Sequence, residues 1–168
     1  HVRSRRQRQM CIRDRLTAGL PSSPAGEIEG GYAAYAAEIG SVSDRIHVNM
    51  GVAAIVYSVL MGAFLGLRGK ILDNGKSNFA FLAGILIIIG FAGTIAEHGA
   101  FSAAASLSNE GLIPEAISMV TLATTAGGFG TAVLALGIGL LGYSLFKNKT
   151  IHPISSCAFI LVGIYGVI

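Results

Sequence analysis

FAFLAGILIIIGFAGTIA, residues 79–96, contains eighteen consecutive residues without a charged side chain. A bilayer core about 30 Å thick is crossed by a helix of about 20 mostly apolar residues. The run of isoleucines would also suit a buried strand, but strands are usually shorter than about ten residues. The length of this stretch therefore predicts a transmembrane helix, which we expect to extend to about residue 105.

Three further apolar segments share this character. Residues 50–67 end at Arg68, residues 119–146 end at Lys147, and residues 153–168 stay apolar to the last residue. Hydrophobic residues make up 52% of the chain and charged residues 12%, whereas about 25% are charged in soluble domains. The pattern predicts an all-α, polytopic helical membrane bundle. We expect four transmembrane helices, with the first and last regions of the protein truncated.

Six arginines crowd the opening segment HVRSRRQRQMCIRDR, residues 1–15. Back-translated, residues 5–15 resemble a transposase-type sequencing adapter, so we interpret residues 1–15 as a non-native segment on a metagenomic fragment. Residues 16–168 then carry six basic and eight acidic residues. The basic pI of 9.1 therefore gives no reason to expect a nucleic-acid partner. Cys157 is the one cysteine left, so no intrachain disulfide is predicted.

The remaining basic residues indicate the orientation. Five of the six lie in the predicted loops 68–78 and 147–152, whereas residues 106–115 contain none. The positive-inside rule makes the two basic loops cytoplasmic and places residues 16–49 outside. Export of that region requires a preceding membrane helix, so we expect five or more helices in the intact protein. The predicted location is the plasma membrane of a prokaryote.

Two kinds of segment precede the first span. Residues 16–31 form a Pro/Gly/Ser-rich linker without periodicity. Residues 32–46 instead have apolar side chains at every third or fourth position, which predicts a short amphipathic helix at the outer interface. We expect Ser43 to cap the entry into the first span. Residues 32–168 are then one helical membrane domain.

Glu97 and His98 are the most prominent polar residues near the spans. Counted from the cytoplasmic start of its helix, Glu97 lies about 28 Å along the axis, near the outer boundary. There it can pair locally or reach headgroups, or it can act as an ion- or proton-interacting group. His47, at the outer end of the first span, is a third candidate. With His98 it could ligate a metal or haem, although no spacing motif links them. We expect His152 to be an interfacial side chain.

Glycines predict where the helices pack closely. Close backbone approach holds helices together in lipid, where the hydrophobic effect between helices is absent. Counting back from Phe146 puts Gly127 and Gly128 at the depth of Glu97. Helices two and three should form an antiparallel hairpin because their loop is short. The glycines predicted to mediate packing are Gly62, Gly66, Gly90, Gly93, Gly127 and Gly128.

The polar motifs do not identify an enzyme. The chain has no Walker loop, HExxH or CxxC sequence, and GGFG at residues 127–130 lacks the lysine of a phosphate-binding loop. We therefore predict no enzymatic activity, no catalytic residue, no metal ligand and no cofactor.

The layout itself resembles a known group. An amphipathic segment leads through SDRIHVNMG, residues 43–51, into a helix, followed by a basic turn, two long apolar helices around a short acidic loop, and a KNK turn. Over residues 32–168 this order resembles the uncharacterised small multi-helix membrane proteins of the DUF4386-like group. The resemblance implies a helical membrane bundle, without an established activity and without functional residues.

These observations give three hypotheses about function. The first is a non-enzymatic accessory or structural membrane component, whose partners are the lipid bilayer and other membrane subunits. The second is a small transporter or channel subunit in which Glu97 interacts with an ion or proton. The third is a haem- or metal-binding redox subunit that uses His47 and His98.

Overall fold

A computed structural model describes residues 31–73 and 78–166, which are almost entirely helical. Three segments interpreted from the sequence lie outside this part of the chain. They are the non-native residues 1–15, the linker residues 16–30 and the turn at residues 74–77. The described elements are α1 (Gly31–Ile39), a 3-10 turn (Gly40–Val42), α2 (Ser43–Asp73), α3 (Asn78–Asn109), α4 (Ile113–Lys147) and α5 (Pro153–Tyr165).

Three of the described helical segments are long and apolar enough to cross a membrane. They are Gly31–Asp73, which joins α1 to α2, and the helices α3 and α4. The all-α prediction is therefore confirmed. At the position of the predicted, truncated fourth transmembrane helix lies α5, which has 13 residues and is about 20 Å long. This is shorter than the hydrocarbon core, so α5 is a short apolar helix beside three long ones.

The described residues form two compact units. Unit A contains residues 31–53 and 98–124, and unit B contains residues 54–97 and 125–166. The division cuts α2, α3 and α4, so each long helix contributes to both units. Each unit has a buried apolar cluster of its own.

The predicted amphipathic spacing forms the core of unit A. Tyr35, Ile39 and Ile46 are buried, and Tyr32 and Val42 pack against the same cluster. Their partners include Phe101, Val120 and small residues at the facing ends of α3 and α4, namely Ala100, Ala104, Ala105, Ala116 and Ala123. The amphipathic face thus packs on protein and not on lipid headgroups. Each large side chain buried from water contributes about 1.5–3 kcal/mol.

Ser43 does not act as the predicted cap. Its hydroxyl oxygen lies 3.2 Å from Nε2 of His47, one turn further along α2. The 3-10 turn runs directly into α2, and Ile39 at its start has αR backbone angles. Because the chain is already helical before Ser43, the first amides of α2 have backbone partners and need no side-chain cap.

Helices α3 and α4 are antiparallel, as the short loop predicted. Asn109 is the last residue of α3, and Gly111 has φ +81° in the turn that follows. Amides of Gly111 and Leu112 donate to carbonyls of Ser108 and Leu107 at 3.0 and 2.9 Å. This pattern is a Schellman C-cap, which favours glycine at the left-handed position. Pro114 follows in the first turn of α4, where its missing amide costs nothing.

Backbone contacts between α3 and α4 in unit B depend on small residues. A Cβ on Gly93 would lie 2.8 Å from Cα of Gly130, and one on Gly90 would lie 2.6 Å from the backbone of Leu134. Gly90 and Gly93 therefore lie in close helix contacts, as predicted. Such contacts are the main source of helix association in lipid.

The other predicted packing glycines have different environments. A Cβ on Gly62, Gly66 or Gly128 would meet no atom within 4 Å. Gly128 follows Gly127 by one residue, or about 100° around the helix, and therefore points away from α3. In α2, the side chains packed against the core of unit B are large, including Tyr57, Phe64 and Ile71. Gly62 and Gly66 lie on a different face of α2, so Gly62, Gly66 and Gly128 make no close helix contact within the described residues.

Helix α5 packs beside α4, as expected, through another set of small residues. A Cβ on Gly163 would lie 2.5 Å from Cα of Gly139, and one on Gly142 would lie 2.6 Å from Cβ of Phe159. The opposite side of α5 exposes Ile154, Leu161 and Tyr165. At the start of α5, Nδ1 of His152 accepts a hydrogen bond of 3.3 Å from the amide of Ile154. His152 is therefore a helix N-cap, a role that the sequence reading missed.

Candidate functional site

Glu97 lies in unit B where α3 meets α4. A Cβ placed on Gly127 would overlap the Glu97 carboxylate, so the carboxylate occupies the space that a side chain would fill. The side chain of Glu97 is half-buried. The predicted common depth of Glu97 and Gly127 is confirmed. Here glycine provides room for a carboxylate on the surface of a neighbouring helix.

The surroundings of Glu97 are mostly apolar or weakly polar. Tyr57 of α2 is close enough for the charge of Glu97 to act on its hydroxyl group. Thr94, one turn earlier on α3, donates a hydrogen bond of 3.1 Å to the carbonyl of Gly90. No lysine or arginine occurs within the spans predicted from the sequence. A carboxylate in such surroundings is stabilised by taking up a proton or by binding a cation.

Helix α3 is longer than the sequence indicated. It continues for twelve residues after Glu97, to Asn109, whereas we expected it to end near residue 105. The additional turn, residues 106–109, contains serine, leucine and asparagine, which are much weaker helix breakers than proline. The position of Glu97 therefore depends on where the hydrocarbon ends along α3, and helix length alone does not fix it.

His47 belongs to a polar cluster in unit A. Its Nε2 lies 3.2 Å from the Oγ of Ser43 and 3.1 Å from the Oγ of Ser106, and its Nδ1 contacts the hydroxyl of Ser102. The ring therefore joins the start of α2 to α3. Both ring nitrogens have hydroxyl partners, so binding of a metal or haem at His47 would break at least one of these contacts.

His98 is buried in unit A, whereas Glu97 belongs to unit B. Within residues 31–73 and 78–166, no three His, Cys, Asp or Glu side chains form a group that could hold a metal ion. The structure thus gives the three predicted residues separate surroundings: Glu97 on Gly127, His47 among serines and His98 in the interior of unit A.

Two features of these sites were absent from the sequence reading. The first is the serine cluster around His47, which the spacing of Ser102 and Ser106 by one helical turn could have indicated. The second is the contact of Gly40 with Ser108, whose hydroxyl accepts from the Gly40 amide at 3.1 Å and donates to the carbonyl of Ala36 at 2.5 Å. A backbone contact of this kind has no periodic signal.

Comparison with known proteins gives no family for this chain. No family model, no curated protein and no solved structure matches it. Its function is therefore argued from its own residues.

Proposed function

We propose that this chain is a multi-pass integral membrane protein with a non-enzymatic, accessory or structural role. The proposal rests on the surface of unit B. Nineteen of the 23 exposed large hydrophobic side chains in the described residues belong to this unit. Water disfavours such a surface, whereas lipid acyl chains solvate it. The close glycine contacts of α3 with α4 and α5 suit a bundle held together within lipid.

Alkaline carbonate extraction tests this proposal on the full chain expressed in bacterial cells. A protein that crosses the bilayer stays in the membrane pellet at alkaline pH and is released only by detergent. We expect this behaviour. A known peripheral protein in the same preparation provides the control. Release of the chain into the carbonate supernatant would overturn the membrane assignment.

A second function is supported by a specific observation, the Glu97 carboxylate on Gly127. We propose as the alternative that Glu97 is the ion- or proton-interacting group of a small transporter or channel subunit. An ionisable side chain among apolar helices is costly unless it is paired, neutralised or hydrated. Exchange of a proton or cation at this carboxylate would follow directly from the cost of leaving it charged and unpaired.

Flux measurements on reconstituted vesicles test the alternative. We expect Glu97→Gln to lower proton or monovalent-cation flux at least about ten-fold, which corresponds to about 1.4 kcal/mol. Glu115→Gln provides the matched control, because Glu115 is exposed in the first turn of α4. Its flux should equal that of the unmodified chain. Equal flux in Glu97→Gln and the unmodified chain, with both correctly folded, would remove the transport hypothesis.

A further inference from the structure

Units A and B differ in the surface that each exposes. Unit B exposes nineteen large hydrophobic side chains on α2, α3, α4 and α5, including Ile55, Ile88, Phe129 and Leu161. Unit A exposes four, which are Val48, Val52, Leu112 and Leu122. Scattered single hydrophobic residues are normal on surfaces that face water, whereas a continuous apolar surface requires a partner. The two units therefore suit different solvents.

Helix length leads to the same division. At 1.5 Å per residue, α2, α3 and α4 are about 46–53 Å long, well above the hydrocarbon thickness of about 30 Å. The segments that they contribute to unit B, residues 54–73, 78–97 and 125–147, measure about 30–35 Å. These lengths are close to the thickness of one bilayer core, with the charged residues Arg68, Lys70 and Asp73 in the last turns of the first segment, and the remaining turns belong to unit A.

Polar groups are distributed accordingly. Unit A exposes five charged side chains: Glu38, Asp44, Arg45, Glu110 and Glu115. It also contains the cluster of His47 with three serines. In unit B, the segments 54–67, 79–96 and 125–146 contain no charged residue, and the described charged residues of this unit follow the ends of these segments: Arg68, Lys70, Asp73, Glu97, Lys147 and Lys149. A charge at the bilayer centre costs about 2.5–3.5 kcal/mol or more, so immersion of unit A would be strongly unfavourable.

We infer that lipid acyl chains contact unit B alone, and that unit A is exposed to water and headgroups. The inference rests on the proposed membrane location and adds which part of the chain is immersed in the hydrocarbon. The hydrocarbon then begins near Ala54 in α2, ends near Glu97 in α3 and begins again near Thr125 in α4. Glu97 is therefore an edge residue that water can reach, and its partner Gly127 lies at the same edge.

A cysteine-reactivity scan tests the inference on the full chain with Cys11 and Cys157 replaced by serine. Two pairs of exposed positions share a residue type and a helix but differ in unit. Val48 and Val59 of α2 are 65% and 68% exposed, and Thr121 and Thr131 are both exposed on α4. Each residue is replaced singly by cysteine, and the protein is reconstituted in lipid nanodiscs. The probe is a charged, water-soluble maleimide.

We expect Val48→Cys and Thr121→Cys to react at least about ten-fold faster than Val59→Cys and Thr131→Cys, because a charged reagent is excluded from hydrocarbon. All four should react alike after denaturation in detergent. Protection of both members of each pair would overturn the inference, because unit A would also be immersed. Fast reaction at all four positions in folded protein would instead overturn the membrane location itself.

Discussion

Replacing Gly130 by alanine is expected to separate α3 from α4 and to lower the stability of the bundle. A Cβ on Gly130 would lie 2.8 Å from the amide nitrogen of Thr94 and 2.9 Å from both the carbonyl oxygen of Gly90 and the carbonyl carbon of Gly93. These are backbone atoms of a regular helix, so they cannot rotate away as a side chain would. Overpacking of this kind costs about 1–3 kcal/mol.

Gly128→Ala is the matched control for this prediction. It lies two residues away on the same helix, and its added Cβ would meet no atom within 4 Å. Alanine has the higher helix propensity, so this variant should be neutral or slightly stabilising. The measurement is equilibrium unfolding in mixed micelles, followed by circular dichroism. Equal stability of Gly130→Ala and Gly128→Ala would contradict the close α3–α4 contact.

The second large effect is expected in unit A, where Phe101→Ala should remove the centre of the apolar cluster. Phe101 is 2% exposed, and its ring packs edge to face on Tyr35, with centroids 6.0 Å apart. Truncation of a buried phenylalanine costs about 3–5 kcal/mol through lost burial and the cavity left behind. If unit A is outside the hydrocarbon, that cost applies in full because the unfolded side chain would meet water.

Phe129→Ala provides the comparison. Phe129 is 63% exposed on α4 in unit B, so its truncation leaves no cavity. Its side chain exchanges one lipid contact for another on unfolding within the bilayer, and the expected loss is below about 1 kcal/mol. Faster hydrogen exchange of the α1 amides would locate the loss of stability in Phe101→Ala. A loss of stability in Phe129→Ala as large as that in Phe101→Ala would contradict the assignment of these two environments.

Much of the fold was predictable from periodicity and length. The apolar stretch at residues 79–96 predicted α3, and the spacing of Tyr35, Ile39 and Ile46 predicted the buried face of the N-terminal segment. Counting residues along two antiparallel helices also predicted that Glu97 and Gly127 lie together. These predictions succeed because helix rise and the three-to-four-residue repeat are properties of the backbone, independent of the partner helix.

The features that the sequence did not predict depend on the rotation of each helix and on its partners. Gly62 and Gly66 have the spacing of a packing motif, but spacing does not indicate which face of α2 meets the bundle. For the same reason, Gly127 and Gly128 could not be told apart from the sequence. The cluster around His47 joins this ring to Ser102 and Ser106, more than fifty positions away, and the one-turn spacing of the two serines does not identify His47 as their partner.

The sequence predicted the candidate residues but not their spatial arrangement. Glu97 stands out in the sequence because it is the one Asp, Glu, Lys or Arg between residues 79 and 109. What it does depends on depth and on neighbours, which composition does not give. Its carboxylate lies against Gly127, at the end of the segment of α3 that belongs to unit B. A carboxylate at the edge of the hydrocarbon can exchange protons or cations with water more readily than one at the centre.

The measurement that tests the membrane assignment most directly is the sidedness of four single cysteines, placed at Ser41, Asp73, Glu110 and Asn148. All four residues are exposed, and they lie at successive ends of the three long helices. Labelling with an impermeant maleimide, before and after the cells are permeabilised, reports the side of each. Three crossings predict that Ser41→Cys and Glu110→Cys share one side, and that Asp73→Cys and Asn148→Cys share the other. Labelling of all four from the same side would contradict the account.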